Sequence, residues 1–306
     1  MPMENKTSKK HMLALITAIV LITATGCYSW WNYRRHQLYA RYPYEIASVL
    51  RLAGNNCSEL VKALNHYEKS TADSLKLRAA EYLIADMPGK YSEYYDAPWN
   101  DVAAVYLRWT GSSNKRQVLD TYQLGKPVRK DDITHITAEY LINNIELAFK
   151  AWQEQPWGIN IPFDVFCEEI LPYRVSTEPL ENWRENVFAS FADLYTSLRM
   201  DTAITVVEAD RLVNSKLPQF RIDKGFPPMS FSQLMSSTRG LDDHKEILAV
   251  FIKRGLGIPV TFDYTPLLPR FYMGHSLNNL NESVGLHHSF LETKSIPGTA
   301  HIKPVS

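Results

Sequence analysis

Hydrophobic residues recur at intervals of three and four through most of the first two-thirds of the chain, which is the spacing of a helix face. This spacing predicts a helix over 44–69, with Cys57 inside its apolar stripe, and a second helix over 72–86 that Pro88 and Gly89 end. A short helix over 162–175 carries Cys167 on its apolar face. Further helices are predicted over 99–109, 132–155, 179–198 and 202–217. No strand-like alternation precedes residue 255, so this part of the chain is predicted to be mainly helical.

The last third of the chain has a different pattern, after a loop rich in Gly and Pro at 224–228. Ser230 can cap a short helix, and Asp242 or Asp243 can cap a longer one that ends at Gly255 or Gly257. A strand is predicted over 258–264, then a loop rich in Pro, then a second strand-like stretch that opens at Gly274. We therefore predict an α+β protein with an N-terminal leader at 1–27, a helical region at 28–225 and an α+β core at 226–306.

The first 27 residues have the layout of a secretory signal peptide: a basic start, an apolar run over 12–22, and small residues directly before Cys27. Small residues followed at once by Cys are also typical of a bacterial lipobox, in which the cysteine is lipidated. Two alternatives stay open: a single membrane-spanning helix over 12–31, with Trp30, Trp31 and Tyr33 at the interface, and a cleaved, soluble product. All three place the folded part outside the cytoplasm, in the periplasm or at the outer membrane.

The charge balance and the small number of cysteines argue against some classes of protein. The chain has 33 Lys plus Arg against 33 Asp plus Glu, and removal of residues 1–26 would leave a charge of −2, so nothing favours nucleic acid as a partner. Three cysteines cannot make a disulfide framework. If Cys27 is lipidated, Cys57 and Cys167 are the one intramolecular pair left; structural, buried roles are the alternative for both.

Several motifs resemble one known family. They are Arg-Gly-Leu-Gly-Ile-Pro-Val at 254–260, Gly-His at 274–275 with Asn278, Leu-Pro-Tyr-Arg-Val at 171–175 with Glu178, Trp183 and Arg184, Leu-Arg-Ala-Ala-Glu-Tyr-Leu at 77–83, and Met-Pro-Gly at 87–89. Together they resemble transglutaminase-like proteins, of the secreted type common in Bacteroides and its relatives. The resemblance spans most of 45–282 and implies an incomplete, papain-like α+β core.

The resemblance also implies a site, which this chain carries only in part. The family chemistry needs a cysteine at the start of the core helix, a histidine that acts as base and an acidic residue that orients the histidine. Leu241 stands at the cysteine position, and His275 matches the histidine. Leu277 replaces the usual aromatic residue, and Glu282 comes too soon to be the acid.

Two other groups of residues can be interpreted as having either a structural or a functional role. Asp242, Asp243, His244 and His275, with His287 and His288, contain metal-ligand types but no compact metal motif, so we expect helix capping, solvated histidines and no metal or cofactor. The aromatic cluster of Tyr91, Tyr94, Tyr95 and Trp99 is expected in a loop, either as a platform for sugar or peptide or packed on the helices.

These observations predict a membrane-attached, extracytoplasmic, transglutaminase-like protein that is not catalytic and that binds a peptide, protein or glycan partner near His275. One alternative is an active cysteine-type acyltransferase or amidase on glutamine or peptide amides with an unexpected nucleophile. The other is a truncated product without a selected function.

Overall fold

The computed structural model describes residues 4–109, 124, 126–219, 221–222, 226–237, 239–265 and 275–280. Internal contacts divide the chain into two compact units, Met1–Leu52 and Ala53–Ser306. The fold is mostly helical with a small sheet fraction, which agrees with the predicted α+β class at this coarse level. The division falls at residue 52, whereas the sequence predicted boundaries at 27 and 225.

The first unit contains two helices, α1 (Glu4–Ala40) and α2 (Tyr44–Leu52). Residues His11–Ala40 of α1 are long and apolar enough to cross a membrane, a property that signal sequences near an N-terminus share. The threonines in this stretch do not oppose an apolar environment. The Thr17 hydroxyl donates to the Leu13 carbonyl at 2.8 Å, and that of Thr23 donates to the Ile19 carbonyl at 2.9 Å, so each polar group is satisfied within the helix.

The second unit begins with helices that the hydrophobic pattern largely predicted. The bounds are α3 (Cys57–Tyr67), α4 (Ser74–Ala85), α5 (Trp99–Trp109), α6 (Ala138–Glu154), α7 (Phe163–Val165, followed by one π-helical turn, Phe166–Ile170), α8 (Trp183–Ser190), α9 (Ala192–Met200) and α10 (Val206–Lys216). The helix predicted over 44–69 is interrupted by a 3₁₀ turn at Gly54, whose φ of 56° is the left-handed conformation that favours glycine. The helix predicted over 179–198 is also divided, because Phe191 leaves the helical conformation.

Strands occur before residue 255, contrary to the sequence prediction. Strand β1 (Tyr91–Tyr94) pairs antiparallel with β2 (Val128–Asp131), and the two-residue strands β3 (Arg221–Ile222) and β4 (Arg239–Gly240) pair in parallel. The pattern could not reveal them because each is too short to show alternation, and β2 and β3 are fully exposed.

The C-terminal elements follow the predicted order. A short helix α11 (Phe231–Ser236) precedes α12 (Asp242–Gly255), which is followed by the antiparallel strands β5 (Val260–Thr265) and β6 (His275–Leu280). Helix α12 packs against α6, α8, α10 and α11, so it lies in the same core as these helices. The predicted boundary near residue 225 therefore does not separate two packing units.

Two glycines allow α12 to enter this core. A Cβ atom on Gly255 would lie 2.6 Å from Cγ1 of Val187, so the two helices α12 and α8 touch closely where glycine has no side chain. After the helix, Gly257 has φ +78, and a Cβ there would lie 2.3 Å from the Ala151 carbonyl of α6. The Trp157 indole donates to the Gly257 carbonyl at 2.7 Å, which fixes the turn that leads into β5.

Three buried arginines, Arg174, Arg184 and Arg254, connect these segments, and we call them the arginine network. The Arg254 guanidinium donates to the Glu169 carbonyl at 3.0 Å, the Arg174 carbonyl at 3.0 Å and the Val260 carbonyl at 3.3 Å. Arg184 donates to Oδ1 of Asn144 at 2.8 Å and to the Arg254 carbonyl at 3.1 Å. One continuous set of hydrogen bonds therefore joins α6, α8, α12, β5 and the segment after α7.

Three buried carboxylates, Asp132, Glu169 and Glu178, stabilise the charges of Arg174 and Arg254. Asp132 accepts from Nε of Arg174 at 2.7 Å and from its NH2 at 2.6 Å, and the side chains are 1% and 4% exposed. Glu178 accepts two backbone N–H groups, and Glu169 lowers the cost of burying Arg254. Burial still lowers the pKa of Arg254 to about 10, so it stays protonated at neutral pH.

Replacement of Asp132 by alanine should therefore be strongly destabilising. It leaves the Arg174 guanidinium buried without its counter-ion, which costs about 3–5 kcal/mol in the free energy of unfolding. The measurement is urea denaturation of the full chain in mild detergent. Asp131→Ala is the matched control, because Asp131 is 49% exposed and pairs with exposed Arg129, so about 0.5 kcal/mol or less is expected. Equal losses in the two variants would contradict the assignment.

Candidate active site at the start of α12

The first candidate site is the N-terminus of α12, where the resemblance places a nucleophile. Leu241 is the N-cap residue, with extended backbone angles of −74° and 163°, and Asp242 and Asp243 lie in the first turn. The predicted capping by Asp242 or Asp243 is therefore wrong. The reason is His244: its Nδ1 accepts a hydrogen bond from the Leu241 backbone N–H at 3.1 Å, as the third helical residue of a capping box does.

His244 was expected to be solvated, yet it is 3% exposed. A Cβ atom on Gly240 would lie 3.0 Å from its Nδ1, so a glycine is needed beside the ring. Burial lowers the pKa of His244 to about 4, against a smaller opposite effect of Asp243. The imidazole is therefore neutral at physiological pH, and its Nδ1 is already occupied as the acceptor for Leu241.

Leu241 gives this helix start no nucleophile. A helix N-terminus favours a thiolate, and a half-buried leucine side chain has neither an ionisable nor an attacking atom. No group of three or more His, Cys, Asp or Glu side chains that could hold a metal ion is found among the described residues. The arrangement at Leu241 can bind or pack, and it cannot perform acyl transfer on its own.

His275 is the first residue of β6, where it pairs with Thr265 at the end of β5. The Thr265–His275 pair is at one end of the hairpin, and Val260, the first strand residue after α12, is at the other end. Both strands contact α12. The hairpin is about as long as the helix, since six strand residues at about 3.3 Å each and 14 helical residues at about 1.5 Å each span about the same distance. His287, His288 and Glu282 lie outside the described residues.

The other cysteines are unsuited to take over the chemistry. Cys167 is 3% exposed, which confirms its predicted burial, and burial raises the pKa of its thiol to about 12. Arg78 opposes this shift, while Asp164 and Glu168 add to it. Cys57 opens α3 and is only half-buried, so its predicted place in a helix interior is wrong. All three cysteines are free, so the Cys57–Cys167 disulfide is not formed. Cys27 is exposed.

The aromatic cluster is divided between two roles. Tyr91 and Tyr94 belong to β1 and not to a loop, and the Arg129 guanidinium covers the Tyr91 ring at 3.8 Å. The hydroxyls of Tyr95 and Tyr106 are 2.9 Å apart, so Tyr95 packs on α5. The cluster therefore does not form one exposed platform.

A second candidate site is a groove of about 310 Å³ between the β1–β2 pair and the start of α6, which we call the β1–β2 groove. Its polar lining residues are Ser92, Lys130, Asp132, His135, Thr137 and Tyr140. Sequence reasoning missed it, because neither strand was predicted and the groove depends on their pairing. Tyr94, singled out as a candidate binding residue, is the one signal that pointed here.

The pH dependence of stability tests the assignment of His244. Its pKa is about 4 in the folded chain and about 6.5 in an unfolded one, so the unfolded state binds the proton first as pH falls. As the pH falls from about 6.5 to about 4, the titration of His244 therefore lowers the free energy of unfolding, by about 3 kcal/mol in total. His244→Gln keeps an acceptor for the Leu241 N–H and removes this loss.

The measurement is urea denaturation of both proteins from pH 7 to pH 4. His66→Gln, at an exposed position in α3, is the control that should leave the His244-dependent loss in place. A wild-type slope that persists in His244→Gln would refute the assignment.

Comparison of the chain with protein-family models, with curated proteins and with solved structures finds no match. The resemblance to transglutaminase-like proteins, which rests on motifs such as 254–260 and 171–175, therefore stays a prediction. Function has to be inferred from the residues of this chain and their geometry.

Proposed function

We propose that the protein is a transglutaminase-like binding protein without catalytic activity, attached to a membrane outside the cytoplasm, which holds a peptide, protein or glycan partner. The observation that carries the proposal is the N-cap of α12. Leu241 occupies the place where acyl transfer requires a thiol, and the neighbouring imidazole of His244 is buried, neutral and bonded to the backbone.

The order of elements supports a transglutaminase-like core. A helix that carries the degenerate nucleophile position is followed by a strand pair, and His275 opens the second strand. The arginine network adds support, since Arg174 and Arg184 come from one motif of the resemblance and Arg254 from another, and all three meet in one hydrogen-bonded cluster. Residues that resemble one family at distant points of a sequence are expected to share a structural role when they touch.

The chemistry of the described residues supports binding over catalysis. An acyl-enzyme needs an activated nucleophile within reach of a base. Cys167 is buried with a raised pKa, and Cys57 begins α3, a helix separate from α12. An active acyltransferase would need a nucleophile of another type at the α12 N-terminus, where Leu241 has none.

Catalysis is tested by incorporation of a fluorescent primary amine into a glutamine-containing protein substrate. We expect none from the wild-type chain, because no thiolate is available at α12. Incorporation that depends on His275 would contradict the proposal, and His66→Ala is the control for loss of a histidine elsewhere.

Leu241→Cys tests the arrangement itself. A thiol at this helix start, with His275 as its proposed base, should have a lowered pKa and react with iodoacetamide near pH 6 at least about tenfold faster than Lys245→Cys, an exposed position of the same helix. The double variant Leu241→Cys/His275→Ala should lose that advantage. If the single and double variants react equally fast, the transglutaminase-like arrangement is wrong, while a binding role is unaffected.

Attachment to the membrane is proposed to occur through lipid on Cys27, which is exposed in α1. Intact-mass measurement of the protein from its membrane fraction should show loss of residues 1–26 and a mass gain from acyl chains, because acyl chains on the cysteine supply the membrane affinity. Cys27→Ser should abolish both changes, and Cys57→Ser should leave them. A wild-type mass of 35.1 kDa without modification would instead make His11–Ala40 of α1 the anchor.

A further inference from the structure

We propose that the β1–β2 groove binds a small organic carboxylate. This inference goes beyond the proposed function, since it concerns a surface that does not include α12 and holds whether or not the chain is catalytic. It rests on the strand register, on the charges already neutralised around the groove, and on the hydrogen-bond donors that remain.

The strand register places a cation on the groove side of the pair. Ser92 lies directly opposite Lys130 in the antiparallel ladder, so the two side chains share a face, and Tyr94 lies on that face two residues along. Glu93 lies opposite Arg129 on the other face. The Glu93 side chain is therefore on the opposite face from Lys130.

The acidic residues around the groove are already satisfied. Asp132 accepts two hydrogen bonds from Arg174 and a third from the Tyr173 hydroxyl at 3.1 Å. Asp131 accepts from Nε of Arg129 at 2.9 Å. Neither carboxylate is left to pair with Lys130, and within the described residues the Lys130 ammonium has no ion-pair partner.

Three polar side chains that line the groove, Ser92, Thr137 and Lys130, can donate to a ligand. The Ser92 hydroxyl accepts from NH2 of Arg174 at 3.0 Å, and the Thr137 hydroxyl accepts from the Tyr140 backbone N–H at 3.1 Å. Each hydroxyl thus keeps its own proton for a ligand oxygen, and Lys130 adds three N–H donors. A set of donors around one cation fits an acceptor with a single negative charge.

The hydrogen-bond donors that remain at the groove favour a carboxylate over a phosphate. Phosphate sites commonly use the free N–H groups of a helix start, and the start of α6 has two of these occupied. The Ala138 N–H donates to Oε2 of Glu59 at 3.0 Å, and the Tyr140 N–H donates to Thr137. One ammonium and two hydroxyls match the two oxygens of a carboxylate.

The other wall of the groove is apolar and selects the rest of the ligand. Ile136, Pro179 and Leu180 line it together with the rings of Tyr94 and Tyr140. Burial raises the pKa of Tyr140, so its phenol remains neutral. A volume of about 310 Å³ is near the lower end for ligand pockets, which are about 300–1,000 Å³. The C-terminal residue of a peptide and an acidic sugar both combine a carboxylate with a compact organic group.

The experiment is calorimetric titration of the full chain in mild detergent with two probes, hippurate as a mimic of a peptide C-terminus and glucuronate as an acidic sugar. Hippuramide, which lacks the charge, is the control ligand. Saturable binding of at least one carboxylate is expected, and Lys130→Met should weaken it about tenfold or more, because a hydrogen bond to a charged group is lost. Lys126→Met removes the same charge from an exposed residue outside the groove lining and should leave affinity unchanged.

The two probes distinguish the source of the carboxylate, since preference for hippurate indicates a peptide end and preference for glucuronate indicates a sugar. The proposal is overturned by absence of saturable binding of both probes up to about 10 mM. It is also overturned if hippurate and hippuramide bind equally, or if Lys126→Met weakens binding as much as Lys130→Met. Urea denaturation of both variants shows that each remains folded, as expected for exposed positions.

Discussion

The arginine network is the constraint on which the second unit depends. A buried guanidinium needs hydrogen-bond acceptors and a nearby negative charge. Arg254 donates to the carbonyls of Glu169, Arg174 and Val260, and Glu169 and Glu178 oppose the lowering of its pKa by burial. Arg184 donates to the Arg254 carbonyl, and the Asp132–Arg174 pair neutralises the adjoining charge. Because each arginine needs partners from elsewhere in the chain, α12 and β5 cannot pack separately from α6 and α8.

This constraint explains which parts of the fold the sequence could predict. Helices such as α3 and α12 carry a regular apolar face, so spacing predicts that these segments are helical, but it does not predict where α3 begins. The loop rich in Gly and Pro near residue 225 marks a change of local structure, whereas the packing of α12 on α6 and α8 depends on tertiary partners of residues such as Arg184, which the loop does not reveal. The sequence pattern did not predict strands β1 and β2, because four residues are too few to show a period.

The two candidate sites also differ in how much of each could be predicted from the sequence. Leu241 could be identified from the sequence, because one residue type decides whether a helix start can hold a thiolate. The burial of His244 could not, since it depends on the close approach of Gly240 and on the hydrogen bond to the Leu241 N–H. The β1–β2 groove depends on the register that sets Lys130 opposite Ser92, which no spacing along the chain encodes. A helix start at which Leu241 supplies no nucleophile, together with a groove lined by hydrogen-bond donors, favours binding over catalysis.

Native-state hydrogen exchange of the full chain tests the central claim, that α6, α8 and the C-terminal elements form one unit held by buried arginines. The most protected amides of α6, α8 and α12 should exchange with the same free energy, and Asp132→Ala should lower all three together. The opposite result would be exchange of α12 at a distinctly lower free energy than α6 and α8, with no response to Asp132→Ala. That result would restore two separate domains and contradict the account.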